Sequence, residues 1–454
     1  MINDCPKILS LFIDPITKKP LSWIPEREML VIDDGGYKVK NMVIDFYEKS
    51  VIRPDELALT TVNNQAVLTI DKSPELRHAH DSAFSKSEAS GGNIYGSLGN
   101  LPAITQSGHY RRMDILSEFD LGGISDKVVV DFGTGPWGFA AIFPKLKEAK
   151  YCIGFDVSLT ALQIARSVTD NDAAEKTVFA TSEGDVIPLA DNTIDIFFGG
   201  EVIEHVRNPY KFVLEIARVC TNNAIVIFST PNRDAILYRA NNIQYCVGPE
   251  HIALLSYKEL LDLLEQFTDQ IQIVGYETSL GPGLDSLPLD PGTCTSLQHR
   301  SANFPELSSG LVSYSRINKE KFKKNKRDIT LKETVWSSHS VKYKYSPESL
   351  VLFDNIRGAL LQGDNQATIE ICTNDISLLF WGHDWSGFVE VTCGEKTVQQ
   401  DLYSPGGGFI RVNINNSTRA KSLTLRCLGK RRNISNADQV IFYKVIEYIE
   451  ENCK

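Results

Sequence analysis

An α/β fold with a parallel sheet covered on both faces is predicted for the middle of this chain, with a small β-rich unit before it and an all-β unit after it. Three observations predict this. From 109 to 316 short apolar runs of strand type alternate with amphipathic segments of helix length. The first such run closes in Asp131, followed by Gly133, Gly135 and Gly138, a tight turn that residues bearing side chains would obstruct. After 341 the pattern changes to period-two alternation between Gly, Asn and Asp turns.

The elements follow in chain order. Residues 1–50 hold apolar runs at 8–13, 29–32 and 42–46, punctuated by Asp-Pro, Lys-Pro and Asp-Gly-Gly, which reads as a small β-rich unit. Residues 51–108, glycine-rich from 90 onward and without periodicity, read as a connector or lid. In 109–316 strands are predicted near 128–131, 151–156, 177–180, 194–198, 223–229, 271–277 and 310–316, with helices near 137–147, 159–169, 206–219 and 256–267. The last two strands flank a Gly/Pro-rich excursion, 281–309, and read as an antiparallel pair beneath a candidate substrate cover. Residues 317–340 carry the basic run 319–327 and read as a solvated linker. Residues 341–454, with strands near 367–372, 377–381, 388–392, 409–414, 422–427 and 440–446, read as an antiparallel sandwich or jelly roll.

Bulk composition sets the outer bounds. The chain has 454 residues, 42% hydrophobic and 23% charged, enough for several cores. No run approaches the length of about 18 apolar residues that a membrane helix needs. The opening Met-Ile-Asn-Asp-Cys-Pro lacks the build of a signal peptide, so a cytoplasmic location is expected. Nine scattered cysteines never form Cys-x-x-Cys, so no metal site is expected and the thiols read as reduced. A net charge of -10 disfavours a large nucleic-acid surface, because such binding is driven by phosphate neutralisation.

Asp131 discriminates between ligands of the glycine turn. Its carboxylate would repel a dinucleotide pyrophosphate and attract the ammonium and sulfonium of S-adenosylmethionine. At the end of the second predicted strand, Asp156, followed by Val157, is placed to accept from both ribose hydroxyls, a feature shared with nicotinamide folds. After the third strand, Asp185 could meet an adenine amino group while Val186 offers a backbone N–H. The fourth strand ends in Gly199-Gly200-Glu201-Val202-Ile203-Glu204-His205-Val206.

With these four motifs in order, 109 to about 280 resembles the class I S-adenosylmethionine-dependent methyltransferases, in the branch with a Glu-His-Val segment after the fourth strand. The resemblance implies a Rossmann-like seven-stranded sheet in order 3-2-1-4-5-7-6, with S-adenosyl-L-homocysteine as product. It also implies that Asp131, Gly133, Thr134, Gly135 and Gly138 surround the amino-acid end of the cofactor. By the same likeness Asp156 with Val157 holds the ribose, Asp185 and Val186 the adenine, and Glu201 lines the pocket floor. The first 50 residues, through 14–21 and 37–43, resemble the small zinc-ribbon-like domains of methyltransferase activators, without the cysteines that hold metal in them.

Methyl transfer to a hydroxyl needs positioning and removal of a proton. His205 and His251 are the candidate bases, since an unperturbed imidazole titrates near pH 6.5. His205 also reads as a cap for the helix that follows, and His251 as a loop histidine before a helix capped by Ser256 with Glu259 three positions on. The Asn/Asp-Pro-Pro-aromatic stretch of nucleobase amine methyltransferases is missing, since Asn208-Pro209-Tyr210 comes late and lacks the second proline. Trp381 and Trp385 flank a polar pair in the carboxyl-terminal unit and read either as core or as a stacking surface for sugar. The expectation is O-methylation of a saccharide or other small-molecule hydroxyl, with nucleic acid disfavoured and the oligomeric state open. The alternatives are an RNA or translation-protein methyltransferase and a non-catalytic cofactor-binding scaffold.

Overall fold

The computed structural model describes residues 7–33, 35–51, 67–69, 119–135, 148–169, 176–184, 186–206, 208–235, 251, 253–276, 305–308, 310–325, 329–353, 356–373, 375–403, 408–415, 420–431, 433 and 435–450. They fall into two compact units. One lies within Met1–Pro231, Tyr257–Ser279 and Leu289–Asn325, the other within Asn232–Ser256, Leu280–Pro288 and Lys326–Lys454. Of the stretches read as lid and cover, only Val51, 67–69 and 305–308 are described, and the helix expected near 137–147 lies outside the described residues.

The first unit opens with strands β1 (Ser22–Ile24), β2 (Met29–Ile32), β3 (Gly35–Lys40), β4 (Val43–Ile44), β5 (Glu48–Val51) and β6 (Val67–Thr69). Strands β3 and β4 form a hairpin over Asn41 and Met42, whose φ of 51° and 61° give the two-residue turn a twist that suits the strands. The central strands are β7 (Val128–Phe132), β8 (Tyr151–Asp156), β9 (Thr177–Thr181), β10 (Ile194–Gly200), β11 (Cys220–Pro231), β12 (Ile271–Tyr276) and β13 (Gly310–Arg316). Their lateral order is β9-β8-β7-β10-β11-β13-β12, parallel as far as β11, with β13 antiparallel to both of its neighbours.

Read from the sequence, 1–50 stands apart from this sheet; in the structure it is joined to it. Strand β4 runs parallel to β9, Val43 beside Phe179 and Ile44 beside Ala180, so the sheet reaches 13 strands among the described residues. The reason is the edge: without β4 the outer backbone groups of β9 would lack ladder partners. Resemblance to seven-stranded folds could not show this addition.

Strands β7 and β9 are buried at every position, as strands covered on both faces must be. Phe132, Phe155, Phe197, Phe212 and Phe228 interlock in the core, with Phe132 and Phe212 centroids 4.9 Å apart and Phe197 and Phe228 6.2 Å apart. Each such ring contributes about 1.5–3 kcal/mol by leaving water. The α-helices among the described residues are α1 (Leu159–Val168), α2 (Pro209–Val219), α3 (Tyr257–Leu264) and α4 (Lys319–Asn325). None of the described helices is long and apolar enough to cross a membrane.

The second unit is all-β: β14 (Ile329–Val335), β15 (Val341–Tyr343), β16 (Glu348–Phe353), β17 (Ile356–Leu361), β18 (Gln366–Glu370), β19 (Asp375–Gly382), β20 (Phe388–Cys393), β21 (Lys396–Asp401), β22 (Gly408–Asn415), β23 (Ser422–Cys427) and β24 (Val440–Glu450). One antiparallel sheet runs β16-β17-β24-β19-β22 with β14 added to β24, the other β15-β18-β23-β20-β21. Leu378, Phe380, Val412 and Phe442 of the first share one core with Ile369, Val391 and Leu425 of the second. Within the stretch read as a basic linker, Lys319–Asn325 is helical and Ile329–Val335 pairs along β24. Local charge drew attention away from the strand-forming Ile, Thr, Leu and Val that follow it.

Candidate functional site

The order of the parallel strands reverses between β7 and β10, and in open α/β sheets ligands bind at the carboxyl ends of the strands at such a switch point. Asp131 stands at that end of β7: it is buried, and its Oδ2 accepts the Thr134 hydroxyl at 2.5 Å. It is a buried partner of Thr134 rather than an exposed carboxylate. Gly133 and Gly135 take φ of +74° and +59°, conformations that cost an L side chain about 1–2 kcal/mol. The Gly133 and Thr134 amides both donate to the Phe155 carbonyl, at 2.8 and 2.9 Å, which staples the turn to β8.

Asp156 completes the turn from the neighbouring strand. Its Oδ2 accepts the Gly135 amide at 3.0 Å and its Oδ1 the Ser158 amide at 2.9 Å. Ser158 caps α1 by accepting the Ala161 amide at 3.1 Å, while Val157 between them is half-buried. Among the described residues, an added Cβ at Gly135 would meet no heavy atom within 4 Å, whereas one at Gly133 would strike Val202 at 2.9 Å.

The segment after β9 is held from several directions. The Ser182 amide donates to the Asp156 carbonyl at 3.0 Å, and the Ser182 hydroxyl to the Val186 carbonyl at 3.2 Å. Glu215 accepts the Ile187 amide, while Arg218 donates to the carbonyls of Ile187 and Leu189 and to Asp191. Burial alone would raise the Glu215 pKa; hydrogen bonds and charge from Arg218 outweigh it and hold the carboxyl below its ordinary range. Val186 is half-buried here, while Asp185 and Gly138 lie outside the described residues.

Strand β10 delivers Glu201 to the same end of the sheet with φ of 51°, an uncommon conformation for a residue with a side chain. Its amide donates to the Ser229 carbonyl at 2.8 Å. Glu204, not singled out from sequence, is fully buried and accepts the Thr230 hydroxyl at 3.0 Å. His205 Nε2 stands 3.9 Å from Glu204 Oε1. An acidic residue three positions after Glu201 among Val202, Ile203 and Val206 was the signal available for it. The cap of α2 is Asn208, whose side chain accepts the Lys211 amide at 3.1 Å ahead of Pro209, and not His205.

In the second unit, His251 is half-buried and precedes Ser256 in sequence. Trp385 is 50% exposed at the turn after β19, its amide donating to His383 Nδ1 at 3.1 Å, and Trp381 is half-buried. Burial pushes the His383 imidazole below its ordinary value, opposed by Asp384.

Residues 130–228 match a family described as "Methyltransferase domain". An uncharacterized methyltransferase of Mycobacteroides abscessus is 28% identical over 116 residues, 26% of this chain and 44% of the relative. A probable S-adenosylmethionine-dependent methyltransferase of Mycobacterium tuberculosis is 35% identical over 78 residues, 17% of this chain and 27% of the relative. The chain thus spans less than half the length of the curated relatives it matches. Among solved structures, an S-adenosylmethionine-dependent methyltransferase of Thermotoga maritima, a possible histamine N-methyltransferase, aligns with 53% of this chain and 99% of its own at 15% identity. Its TM-score of 0.38 is too low to bear on function. The segment that carries Asp131, Asp156, Glu201 and Glu204 lies within the stretch that matches the methyltransferase-domain family.

Proposed function

We propose that the chain as a whole is an S-adenosylmethionine-dependent O-methyltransferase whose acceptor is a saccharide hydroxyl. The observation that carries the transferase reading is the turn itself: Gly135 at φ +59°, where an added Cβ would meet no atom of the described residues within 4 Å, between buried Asp131 and Asp156. When bound, the cofactor supplies a methyl group on a positively charged sulfur. Asp131, through Thr134, fixes the turn and biases the crevice toward positive charge, and Asp156 presents its carboxylate to the ribose. Gly133 shapes the turn against Val202 and Gly135 admits the amino-acid end, while Val157 and Val186 border the base and ribose.

Glu201, Glu204 and His205 follow the fourth parallel strand at the crevice end. There an imidazole beside a buried carboxylate is suited to hold a proton taken from a hydroxyl. His251 is the second candidate base. Half-exposed Trp385 supports a sugar as the acceptor class, since an aromatic face stacks on a sugar ring. Incubation with methyl-labelled cofactor and separated envelope glycan and RNA fractions tests the assignment. Label in glycan is the expected result, and label in RNA or none in any fraction would reject the acceptor. His205→Ala and His251→Ala separate the bases: the variant that loses turnover while still binding S-adenosylhomocysteine marks the one in use.

A further inference from the structure

The amino-terminal strands do more than extend the sheet. In the parallel pairing of β4 with β9, Val43 lies beside Phe179 and Ile44 beside Ala180, which brings Asp45 in next to Thr181 at the ligand-binding end. Thr181 is buried and its hydroxyl is used in both directions: it donates to Asp45 Oδ1 at 3.0 Å and accepts the Phe46 amide at 2.7 Å. Asp45 Oδ1 also accepts the Tyr47 amide at 3.0 Å. The next residue, Ser182, is tied to the Asp156 backbone and, through its hydroxyl, to Val186. Beyond it the Ala190 amide donates to the Leu11 carbonyl at 3.0 Å and the Ile13 amide to the Pro188 carbonyl at 3.1 Å. The segment 182–190 is therefore gripped at both ends by residues 11–13 and 45–47.

We propose that Asp45 and Thr181 are positioning residues for the base of the cofactor, and that the amino-terminal strands thereby set the preference for adenine. This rests on the cofactor reading given above, in which the segment 182–190 borders the base. Neither residue touches the reacting atoms. They act by holding Ser182 and Val186 on either side of the residue read from the sequence as the partner of the exocyclic amine, so their loss should reduce discrimination between bases as well as affinity.

Calorimetry with S-adenosylhomocysteine and its inosine counterpart tests this on the full chain. Thr181→Val removes the hydroxyl at nearly constant volume and should weaken S-adenosylhomocysteine binding about tenfold while narrowing its advantage over the inosine ligand. Thr181→Ser keeps the hydroxyl and should restore both values. Equal losses for the two ligands, or unchanged affinity, would overturn the proposal and leave the cofactor reading intact. Wild-type protein that binds neither ligand would instead reject the cofactor reading. Should Thr181→Val fail to fold by circular dichroism, Asp45→Ala, which removes the acceptor of the Thr181 hydroxyl, carries the same expectations and the same refutations.

Discussion

Alanine at Gly133 and alanine at Gly135 should differ sharply in stability, although the two glycines are neighbours in one turn. Both have positive φ, so each substitution pays about 1–2 kcal/mol for the left-handed backbone. Each also recovers about 0.4–1 kcal/mol from a less flexible unfolded chain. These terms cancel in the comparison. What remains is contact: the new methyl at Gly133 would sit 2.9 Å from Val202 Cγ2 and 3.0 Å from its Cβ, while at Gly135 no atom of the described residues lies within 4 Å. Val202 is buried and β-branched, so it has little freedom to swing aside. Overpacking of this kind costs about 1–3 kcal/mol. Urea unfolding of the two variants at equal m should show Gly133→Ala less stable by that amount. Val202→Ala placed in the Gly133→Ala background should recover most of it. Equal midpoints, or a less stable Gly135→Ala, would refute the placement of Val202 against the turn. In binding the order reverses: Gly135→Ala places a methyl where the amino-acid end is proposed to enter and should lose S-adenosylhomocysteine affinity out of proportion to its stability.

Three further outcomes are expected. Asp156→Ala should weaken S-adenosylhomocysteine binding by about 1–3 kcal/mol in calorimetry, because a charged hydrogen-bonding group is lost; unchanged affinity would remove it from the ribose site. Glu215 has its folded-state pKa depressed, so its stabilising effect is present above the ordinary carboxylate value and is lost as pH falls through the folded one. Glu215→Gln should therefore flatten the acid limb of the stability profile below about pH 4.5, and an unaltered limb would contradict the Arg218 pairing. Burial raises the Cys372 thiol pKa, assisted by its hydrogen bond to Glu447 at 3.0 Å. Glu447→Gln should bring the pH profile of Cys372 alkylation to lower pH, and an unmoved profile would show that the carboxylate has no part in it.

Much of the turn was legible because its causes are local. A strand of Val128, Val129 and Val130 ending in Asp131, then glycines, specifies a tight bend whatever surrounds it, and Ile153 to Asp156 specifies the neighbouring strand end in the same way. Contacts between distant segments were not legible. Nothing in Val43 and Ile44 announces Phe179 and Ala180 as partners, because parallel pairing depends on which edge is left open after the sheet has formed. Glu204 was passed over for a related reason: its burial comes from strands β10 and β11 meeting, and its Thr230 partner lies on the second of them. In the all-β unit the alternation of β23 showed from the sequence, whereas β14 was hidden behind the lysine run of α4.

The pairing of β4 with β9 also has a bearing on biosynthesis. The amino-terminal strands leave the ribosome well before the edge they complete, so β4 must stay without its parallel neighbour until β9 emerges. What is made early is therefore finished late, and slow, non-local closure of this kind exposes strand edges to wrong partners in the interval. Chaperone demand during translation should concentrate there.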